Sequence, residues 1–265
     1  LSANRPEFAI IYFGIVKIGA IAVPLDIKYK FDELATLFNN CQPKVFVVES
    51  PFLEPLLPAL PRFKSIEHVI HLASNYGGQF LSYQQIMATG SARPVEVEVA
   101  DEDLALIFYT SGPTSRPRGI MLSHASLLAE AEASGNGFEQ TDKDIVMLFA
   151  LPLYHAFGLE IILLTSISRG STVVMLPGLS INSLMEAIER EKATIFMGVP
   201  YTFALAVNMA EKEGINYDLS SLRLCVSGGS ALPISVMERF KQHHGLDIAQ
   251  LWGLTETVAH VTCQS

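Results

Sequence analysis

The chain has 265 residues, 49% of them hydrophobic, and its mean hydropathy is +0.32. This length and composition are enough to bury a large apolar core, which excludes an intrinsically disordered protein. The formal net charge of −9 and the lack of any lysine and arginine cluster argue against nucleic acid as a partner, because such binding depends on neutralising phosphates.

The predicted elements alternate between helices and strands from the start of the chain. Apolar residues recur with helical spacing from Phe8 to Ile18, and an extended segment follows over 20–25. A second helix is predicted over 31–41, and a strand over 44–49. Further strands are predicted over 104–110, 145–150, 172–176, 194–199, 222–227 and 248–252. This alternation indicates the α/β class, with mainly parallel sheets flanked by helices.

A polar, glycine-containing segment over 134–144 interrupts both the helical and the strand periodicity. We interpret this segment as a hinge and predict a boundary near residue 138. The chain is therefore expected to form two layered lobes, one over 1–138 and one over 139–265.

The three cysteines bear on the cellular compartment. Cys41, Cys225 and Cys263 are far apart and odd in number, which favours neither disulfides nor a zinc site and predicts a reducing, cytoplasmic location. Two apolar stretches, 8–25 and 146–167, are nearly long enough to cross a membrane, but the charged, glycine and proline residues within them favour buried core. No signal peptide or transmembrane segment is expected, whereas peripheral membrane contact and the oligomeric state stay open.

A polar loop follows the strand over 104–110 and reads TSGPTSRPRG from Thr110 to Gly119. Hydroxyls, glycine and backbone amides at the carboxyl end of a strand form a concavity that suits anionic oxygens. The loop is not a Walker motif, because no Gly-Lys-Ser/Thr follows at the required distance. From these residues alone, a phosphate site and a tight surface turn stay equally open.

The same loop resembles the Tyr-Thr-Ser-Gly-Thr-Thr-Gly-x-Pro-Lys-Gly signature of the adenylate-forming superfamily. That superfamily includes acyl-CoA synthetases, firefly luciferase and the adenylation domains of peptide synthetases. Four more segments resemble its motifs in the same order: 19–25 the early core motif, 151–158 the acyl-pocket motif, 227–233 the adenine-side loop and 252–256 the Tyr-Gly-x-Thr-Glu motif. The chain is identified as a member on these ordered matches, and its Leu-Pro-Leu-Tyr-His-Ala-Phe-Gly segment is most similar to fatty acyl-CoA synthetases.

The resemblance implies an AMP-forming acid–thiol ligase. Such an enzyme uses ATP and Mg²⁺ to activate a carboxylic acid, here a fatty acid, as its acyl-adenylate, and then transfers the acyl group to coenzyme A. The implied contacts to the β- and γ-phosphates are Thr110, Ser111, Gly112, Thr114, Ser115 and Arg118. The implied contacts on the adenine side are Gly228, Gly229, Ser230, Trp252 and Gly253. The implied catalytic residues are Thr255 at the α-phosphate, Glu256 as the ligand of Mg²⁺ and His155 near the substrate carboxylate.

Each of these segments also has a purely structural interpretation. Gly228 and Gly229 fit a strand-to-helix turn, the pair Thr255 and Glu256 fits a helix start, and a single histidine such as His155 in an apolar run is more often a hydrogen-bonded core residue. The position of the segments within the family pattern favours the functional interpretation.

The chain departs from the family pattern at four positions. Pro113 removes an amide donor from the loop, and Ser115 replaces a glycine, which makes a left-handed backbone cost roughly 1 kcal/mol more. Arg118 replaces the usual lysine and keeps the positive charge, and Trp252 replaces the usual tyrosine and keeps an aromatic face. Because of Pro113 and Ser115, the loop is expected to hold phosphate less well.

Three functions stay open on the sequence. The first is fatty acyl-CoA synthesis, the second is an aryl-acid ligase or a carrier-protein-loading adenylation enzyme, and the third is a non-catalytic binding module with a degenerate phosphate loop. Nothing after Glu256 resembles the family's ribose-binding aspartate motif, hinge or small C-terminal domain with its catalytic lysine. We therefore expect the chain to be part of a longer synthetase and to have little synthetase activity alone.

Overall fold

The fold is taken from a computed structural model, which describes residues 1–72, 80–111, 117–176, 180–214 and 217–263. These residues group into two compact units. The first unit consists of Leu1–Ala100 and Ala105–Met121, and the second consists of Asp101–Leu104 and Leu122–Ser265.

The first unit contains short helices and a small parallel sheet. Its helices are α1 (Pro6–Lys17), α2 (Phe31–Cys41), α3 (Ser50–Leu53) and α4 (Tyr83–Thr89), with 3-10 turns at Glu54–Leu56 and Leu60–Arg62. Its strands are β1 (Val45–Val48), β2 (His68–His71), β3 (Leu81–Ser82), β4 (Leu104–Ser111) and β5 (Pro117–Ser123), the last two of which begin or end in the second unit. β1, β2 and β3 are parallel neighbours, and β4 pairs with β5.

The extended segment predicted over 20–25 forms a single bridge and no regular strand. Ala22 bridges Leu106 in parallel, and its amide donates to Ala105 O at 2.9 Å. Pro24 lacks an amide hydrogen, so a longer ladder would lose a donor there. The segment therefore runs extended beside β4 without forming a regular strand.

The second unit is an α/β sandwich. Its helices are α5 (His124–Gly137), a π-helix (Phe157–Leu164), α6 (Thr165–Arg169), α7 (Ile181–Glu191), α8 (Pro200–Glu213), α9 (Ile234–His244) and a 3-10 turn (Thr255–Thr257). Its strands are β6 (Ile145–Leu148), β7 (Thr172–Met175), β8 (Ile195–Gly198), β9 (Leu224–Ser227), β10 (Ile248–Trp252) and β11 (Thr262–Cys263).

The sheet of the second unit has the order β11-β10-β9-β8-β6-β7. All neighbours are parallel except β10 and β11, which are antiparallel. The predicted α/β class with mainly parallel, helix-flanked sheets is thus confirmed. β8 is buried along its whole length, and Phe196, Phe203 and Phe240 pack in the core between the sheet and the helices α8 and α9. Buried apolar strands of this kind are typical of sheets covered on both faces.

The segment over 134–144, which was predicted to be a hinge, is held in place by a buried helical turn and by hydrogen bonds from Arg223. Its first four residues are the last turn of α5, in which Ser134 is fully buried. Arg223 donates to both carboxylate oxygens of Asp144, at 2.9 and 2.8 Å, and to the carbonyls of Phe138 and Glu139. The segment is therefore hydrogen-bonded to the residue that precedes β9. The two compact units described above divide the chain earlier, near residue 121. A lobe boundary at 138 stays a prediction.

Among the residues that the structure describes, no helix is long and apolar enough to cross a membrane. The stretch over 8–25 contains α1 and a turn, and the stretch over 146–167 contains β6 and the π-helix. Cys41, Cys225 and Cys263 form no disulfide bond within the described ranges.

Candidate nucleotide and acyl site

Three of the predicted motifs meet at one edge of the sheet in the second unit. Because β6, β8, β9 and β10 are parallel, their carboxyl ends lie at the same edge, which we call the carboxyl edge. The pocket motif follows β6, the adenine-side loop follows β9, and the Trp-Gly-x-Thr-Glu motif ends β10 and continues beyond it. In open α/β sheets this edge is where ligands usually bind.

The adenine-side loop keeps its backbone close to neighbouring side chains. The amide of Gly228 donates to Gly198 O at 3.1 Å. A Cβ atom on Gly228 would lie 2.9 Å from Phe157 Cε1 and 3.1 Å from Leu251 Cδ2, so any side chain at this position would force one of these neighbours or the loop to shift. Gly229 has a φ of +83°, which other residues rarely adopt.

Trp252 and Gly253 lie beside that loop because β10 pairs with β9. Trp252 is 59% exposed, whereas Leu251 before it is buried. Gly253 lies in a close turn, in which a Cβ atom would be 1.9 Å from Ala259 O. Ser230 is exposed. An exposed indole beside a bare backbone loop is a surface on which a purine base can stack.

Thr255 and Glu256 belong to the 3-10 turn that follows β10. Thr255 is half-buried and Glu256 is exposed. No group of three or more His, Cys, Asp or Glu with metal-ligand geometry occurs within the described ranges. One exposed carboxylate fits Mg²⁺, which usually binds through one or two carboxylates together with substrate phosphates and waters.

His155 is exposed, and the structure does not support its alternative reading as a core histidine. The neighbouring Leu153 and Tyr154 are buried and carry the apolar pattern of the motif. The ring of His155 lies 5.0 Å from that of Tyr154, and its amide donates to Pro152 O at 3.1 Å. The side chain is thus presented at the carboxyl edge.

The predicted phosphate loop is described only at its two ends, which lie in the first unit. Gly112, Thr114 and Ser115, together with Pro113 and Arg116, lie outside the described residues, as does the side chain of Ser111. Thr110 is half-buried near the end of β4, and Arg118 is exposed on β5.

Comparison with known proteins decides the family. A model of the AMP-binding enzyme family matches residues 1–265. The chain belongs to the AMP-binding enzyme family.

Its relatives differ in the acids that their names give. The chain is 30% identical over 263 residues to a medium-chain fatty-acid–CoA ligase of Escherichia coli (strain K12), covering 96% of this chain and 45% of that protein. It is also 30% identical over 258 residues to an indoleacetate–CoA ligase of Aromatoleum aromaticum, covering 97% and 49%. A crystal structure of an anthranilate CoA ligase with anthranoyl-AMP superposes with a TM-score of 0.89 at 28% identity, covering 99% and 51%. The chain thus spans about half the length of these relatives.

This member of the AMP-binding enzyme family also contains a buried acidic residue that the motifs did not indicate. Glu160 is 1% exposed in the middle of the π-helix, and neither of its carboxylate oxygens has a hydrogen-bond partner among the described residues. Burial, together with repulsion from Glu130, raises the pKa of Glu160 to about 9. Its only sequence signal is a glutamate within an otherwise apolar run.

A hydrogen bond between His260 and Glu130 connects the segment after β10 to α5. His260 Nδ1 is hydrogen-bonded to the carboxylate of Glu130, which is 8% exposed. The Ser134 hydroxyl donates to the same carboxylate oxygen at 2.8 Å and lies 3.1 Å from His260 Nδ1. The His260 ring stacks on Phe138 with a centroid distance of 5.9 Å. These residues are far apart in the chain, so spacing could not indicate the contact.

Proposed function

We propose that the protein binds ATP with Mg²⁺ and activates a carboxylic acid as its acyl-adenylate, which coenzyme A then converts to a thioester. The observation that carries the proposal is the meeting of the pocket motif, the adenine-side loop and the Thr255–Glu256 turn at one carboxyl edge in a member of the AMP-binding enzyme family. The relatives named above are CoA ligases, which supports the thioester step.

In this proposal the base lies against the backbone of Gly228, Gly229 and Ser230 and stacks on Trp252, with Gly253 allowing the close approach. Thr255 donates to the α-phosphate, and Glu256 holds Mg²⁺. When bound, Mg²⁺ neutralises phosphate charge and so favours loss of pyrophosphate. Catalysis of such a transfer depends mainly on positioning and charge neutralisation, which these groups provide without a protein nucleophile.

The substrate carboxylate and the remaining phosphates need further partners. His155 is exposed at the carboxyl edge, where an imidazole can donate to a carboxylate. For the β- and γ-phosphates we propose Thr110, Ser111, Gly112, Thr114, Ser115 and Arg118, on the resemblance of the loop to the family signature. Arg118 is an exposed cation and adds a charge-assisted donor.

We further propose a fatty acid as substrate, on the likeness of the segment over 151–158. The alternative, an aryl acid, is supported by two comparisons, the indoleacetate–CoA ligase and the complex with anthranoyl-AMP. Pyrophosphate release by the full-length protein with a panel of alkyl and aryl acids separates the two. A higher kcat/KM for indoleacetate or benzoate than for any alkyl acid would contradict the fatty-acid proposal.

Calorimetric titration of the chain with Mg·ATP, and separately with a stable dodecanoyl-adenylate analogue, tests nucleotide and acyl binding. We expect the analogue to bind, because the adenine-side loop, Trp252 and the pocket motif lie on one unit. A well-folded chain that binds neither ligand would contradict the proposal. A separate assay with the acid, Mg·ATP and coenzyme A tests catalysis by the chain alone. Sustained CoA-dependent AMP formation would contradict the expectation that the chain alone has little synthetase activity.

The non-catalytic alternative makes a distinct prediction. If Pro113 and Ser115 have abolished ATP binding, then the double substitution Pro113→Thr, Ser115→Gly will raise ATP affinity by a large factor. We expect a gain of less than about tenfold, which is about 1.4 kcal/mol, because in this proposal the adenine-side residues, Thr255 and Glu256 also bind ATP.

For the location of the protein we propose the cytoplasm. The support is chemical, since none of Cys41, Cys225 and Cys263 is in a disulfide within the described residues, and burial raises the pKa of Cys225 to about 12. Free thiols persist most readily in a reducing compartment.

A further inference from the structure

The turn that carries Thr255 and Glu256 is closed on itself. The amide of Thr257 donates to Leu254 O at 3.1 Å, and the Leu254 amide donates to Thr257 Oγ1 at 3.1 Å. The Val261 amide donates to Trp252 O at 2.9 Å and closes the base of the turn. The two functional side chains therefore project from a compact loop whose shape fixes their direction.

This loop holds an unfavourable backbone. Val258 and Ala259 have φ values of +57° and +79°, a left-handed conformation that a β-branched residue such as valine very rarely adopts. Two consecutive residues of this kind persist only when surrounding contacts determine the conformation. Backbone bonds within the loop hold part of it, since the Ala259 amide donates to Leu254 O at 3.1 Å and the His260 amide to Val258 O at 3.3 Å. A side-chain contact outside the loop adds to these bonds.

His260, the next residue, makes that contact. Its Nδ1 is hydrogen-bonded to Glu130 on α5, and the side chains of both residues are nearly buried, with 11% and 8% exposure. Ser134, one turn further along α5, donates to the same carboxylate oxygen. The carboxylate is therefore oriented by its own helix, and it holds the imidazole in one place.

We propose that the His260–Glu130 pair positions Thr255 and Glu256 by locking the strained loop over 253–261 onto α5. The proposal rests on the proposed function, because it takes Thr255 and Glu256 as the groups that meet the α-phosphate and Mg²⁺. His260 and Glu130 are positioning residues and touch no substrate. Loss of the pair removes the contact that holds Val258 and Ala259 from outside the loop, so the strained backbone relaxes more easily and Glu256 is held less firmly in one position.

The test combines a measurement that needs no ligand with one that needs ATP. In His260→Ala we expect the amides of 254–261 to exchange at least about tenfold faster than in the parent chain. We also expect the gain in ATP affinity that Mg²⁺ provides to fall by about tenfold or more, with the affinity for Mg-free ATP nearly unchanged. A purely structural role would lower both affinities together.

Two further variants serve as the rescue and the control. His260→Asn places an amide donor near the position of Nδ1, so we expect it to restore slow exchange and most of the Mg²⁺ gain. His243→Ala removes another histidine that contacts a glutamate, Glu211 at 3.2 Å, but on α9 and outside the loop. This control is expected to leave both measurements unchanged.

The outcomes separate the two proposals. Parent-like exchange in His260→Ala, or an undiminished Mg²⁺ gain, overturns the positioning proposal. If the parent chain binds no ATP, the proposed function fails, and the exchange rates alone decide whether the pair fixes the loop. If His260→Ala does not fold, Glu130→Gln keeps the side-chain volume and is expected to speed exchange by about threefold. Exchange at the parent rate in that variant overturns the proposal.

Discussion

At the scale of single residues, the carboxyl edge leaves little room for added atoms. Gly228 lies against Phe157 of the π-helix and Leu251 of β10, so the pocket motif and the adenine-side loop are in direct contact. A change at this glycine therefore acts on both proposed subsites at once.

Gly228→Ala tests this contact. The added methyl would lie 2.9 Å from Phe157 Cε1, so the ring or the loop must move, at a cost of about 1–3 kcal/mol. We expect lower affinity for the dodecanoyl-adenylate analogue by about tenfold, measured by calorimetry. Gly137→Ala is the control, because a Cβ atom there meets nothing within 4 Å. Equal affinity of the two variants would show that the loop adjusts freely.

Glu160 allows a prediction about pH. Its pKa rises from about 4.5 in the unfolded chain to about 9 in the fold, so its protonated form is stable when buried, and that advantage is lost as pH rises from 4.5 through 9. At about pH 7, Glu160 must take up a proton when the chain folds, and this lowers the free energy of unfolding by about 3 kcal/mol. Glu160→Gln removes this dependence.

We therefore expect Glu160→Gln to gain free energy of unfolding relative to the parent chain as pH rises from about 5 to about 8. Urea unfolding at both pH values measures the difference. Glu132→Gln, an exposed neighbour of Glu130 on α5, is the control and should show no such trend. A pH-independent difference for Glu160→Gln would mean that the carboxyl is ionised in the fold.

At the scale of elements, the ion pair between Asp144 and Arg223 holds the segment before β6 to the residue before β9. Burial would raise the pKa of Asp144, but hydrogen bonds from Arg223, Thr194 and the Thr141 amide outweigh it and lower the pKa. Such a carboxylate contributes stability above its usual pKa, and the contribution is lost as acid protonates it. Arg223 thereby links the turn before β6 to β9.

Arg223→Leu should lower the free energy of unfolding by about 3 kcal/mol at neutral pH, because the Asp144 carboxylate stays buried without its cation. We take the lower end of the usual range since the arginine is partly exposed. Arg190→Leu removes an exposed pair with Glu191 and should change stability by less than about 0.5 kcal/mol. Urea unfolding at neutral and acidic pH compares them, and a loss that persists undiminished in acid would exclude the charge argument.

The elements also show what the sequence can predict. The strands over 145–150 and 194–199 were predictable because short apolar runs of β-branched and aromatic residues are typical of buried parallel strands, and β6 and β8 confirm them. The end of α5 was not predictable from local polarity, since Ser134 is polar yet fully buried against Glu130 and His260. Tertiary contact there outweighs the turn-like composition of 134–144.

The same reasoning applies to the candidate site. Its motifs follow strands, and parallel strands bring their carboxyl ends to one edge, so the grouping of 228–230 with 252–256 follows from the predicted fold. The contact of Glu130 with His260 joins residues 130 positions apart, and neither belongs to a motif. Only a folded backbone reveals such a pair.

At the scale of the whole molecule, the net charge of −9 affects how a nucleotide approaches. Free ATP carries several negative charges, and long-range repulsion between like charges weakens association until salt screens it. We expect the affinity for Mg-free ATP to rise between about 0.05 M and about 0.3 M NaCl, and the affinity for Mg·ATP to change less. Calorimetry at both salt concentrations measures this. Affinity for Mg-free ATP that falls with salt would indicate a local cationic site that outweighs the overall charge.

The exposed end of β10 has a practical consequence. Trp252 is the only tryptophan in the chain, and it is 59% exposed at the position where the base is expected to stack. Indole fluorescence depends on solvent contact, and a stacked purine quenches it by close ring contact. If the base stacks on Trp252 as proposed, this chain carries its own optical reporter of nucleotide occupancy, and unlabelled ligands can be followed in real time.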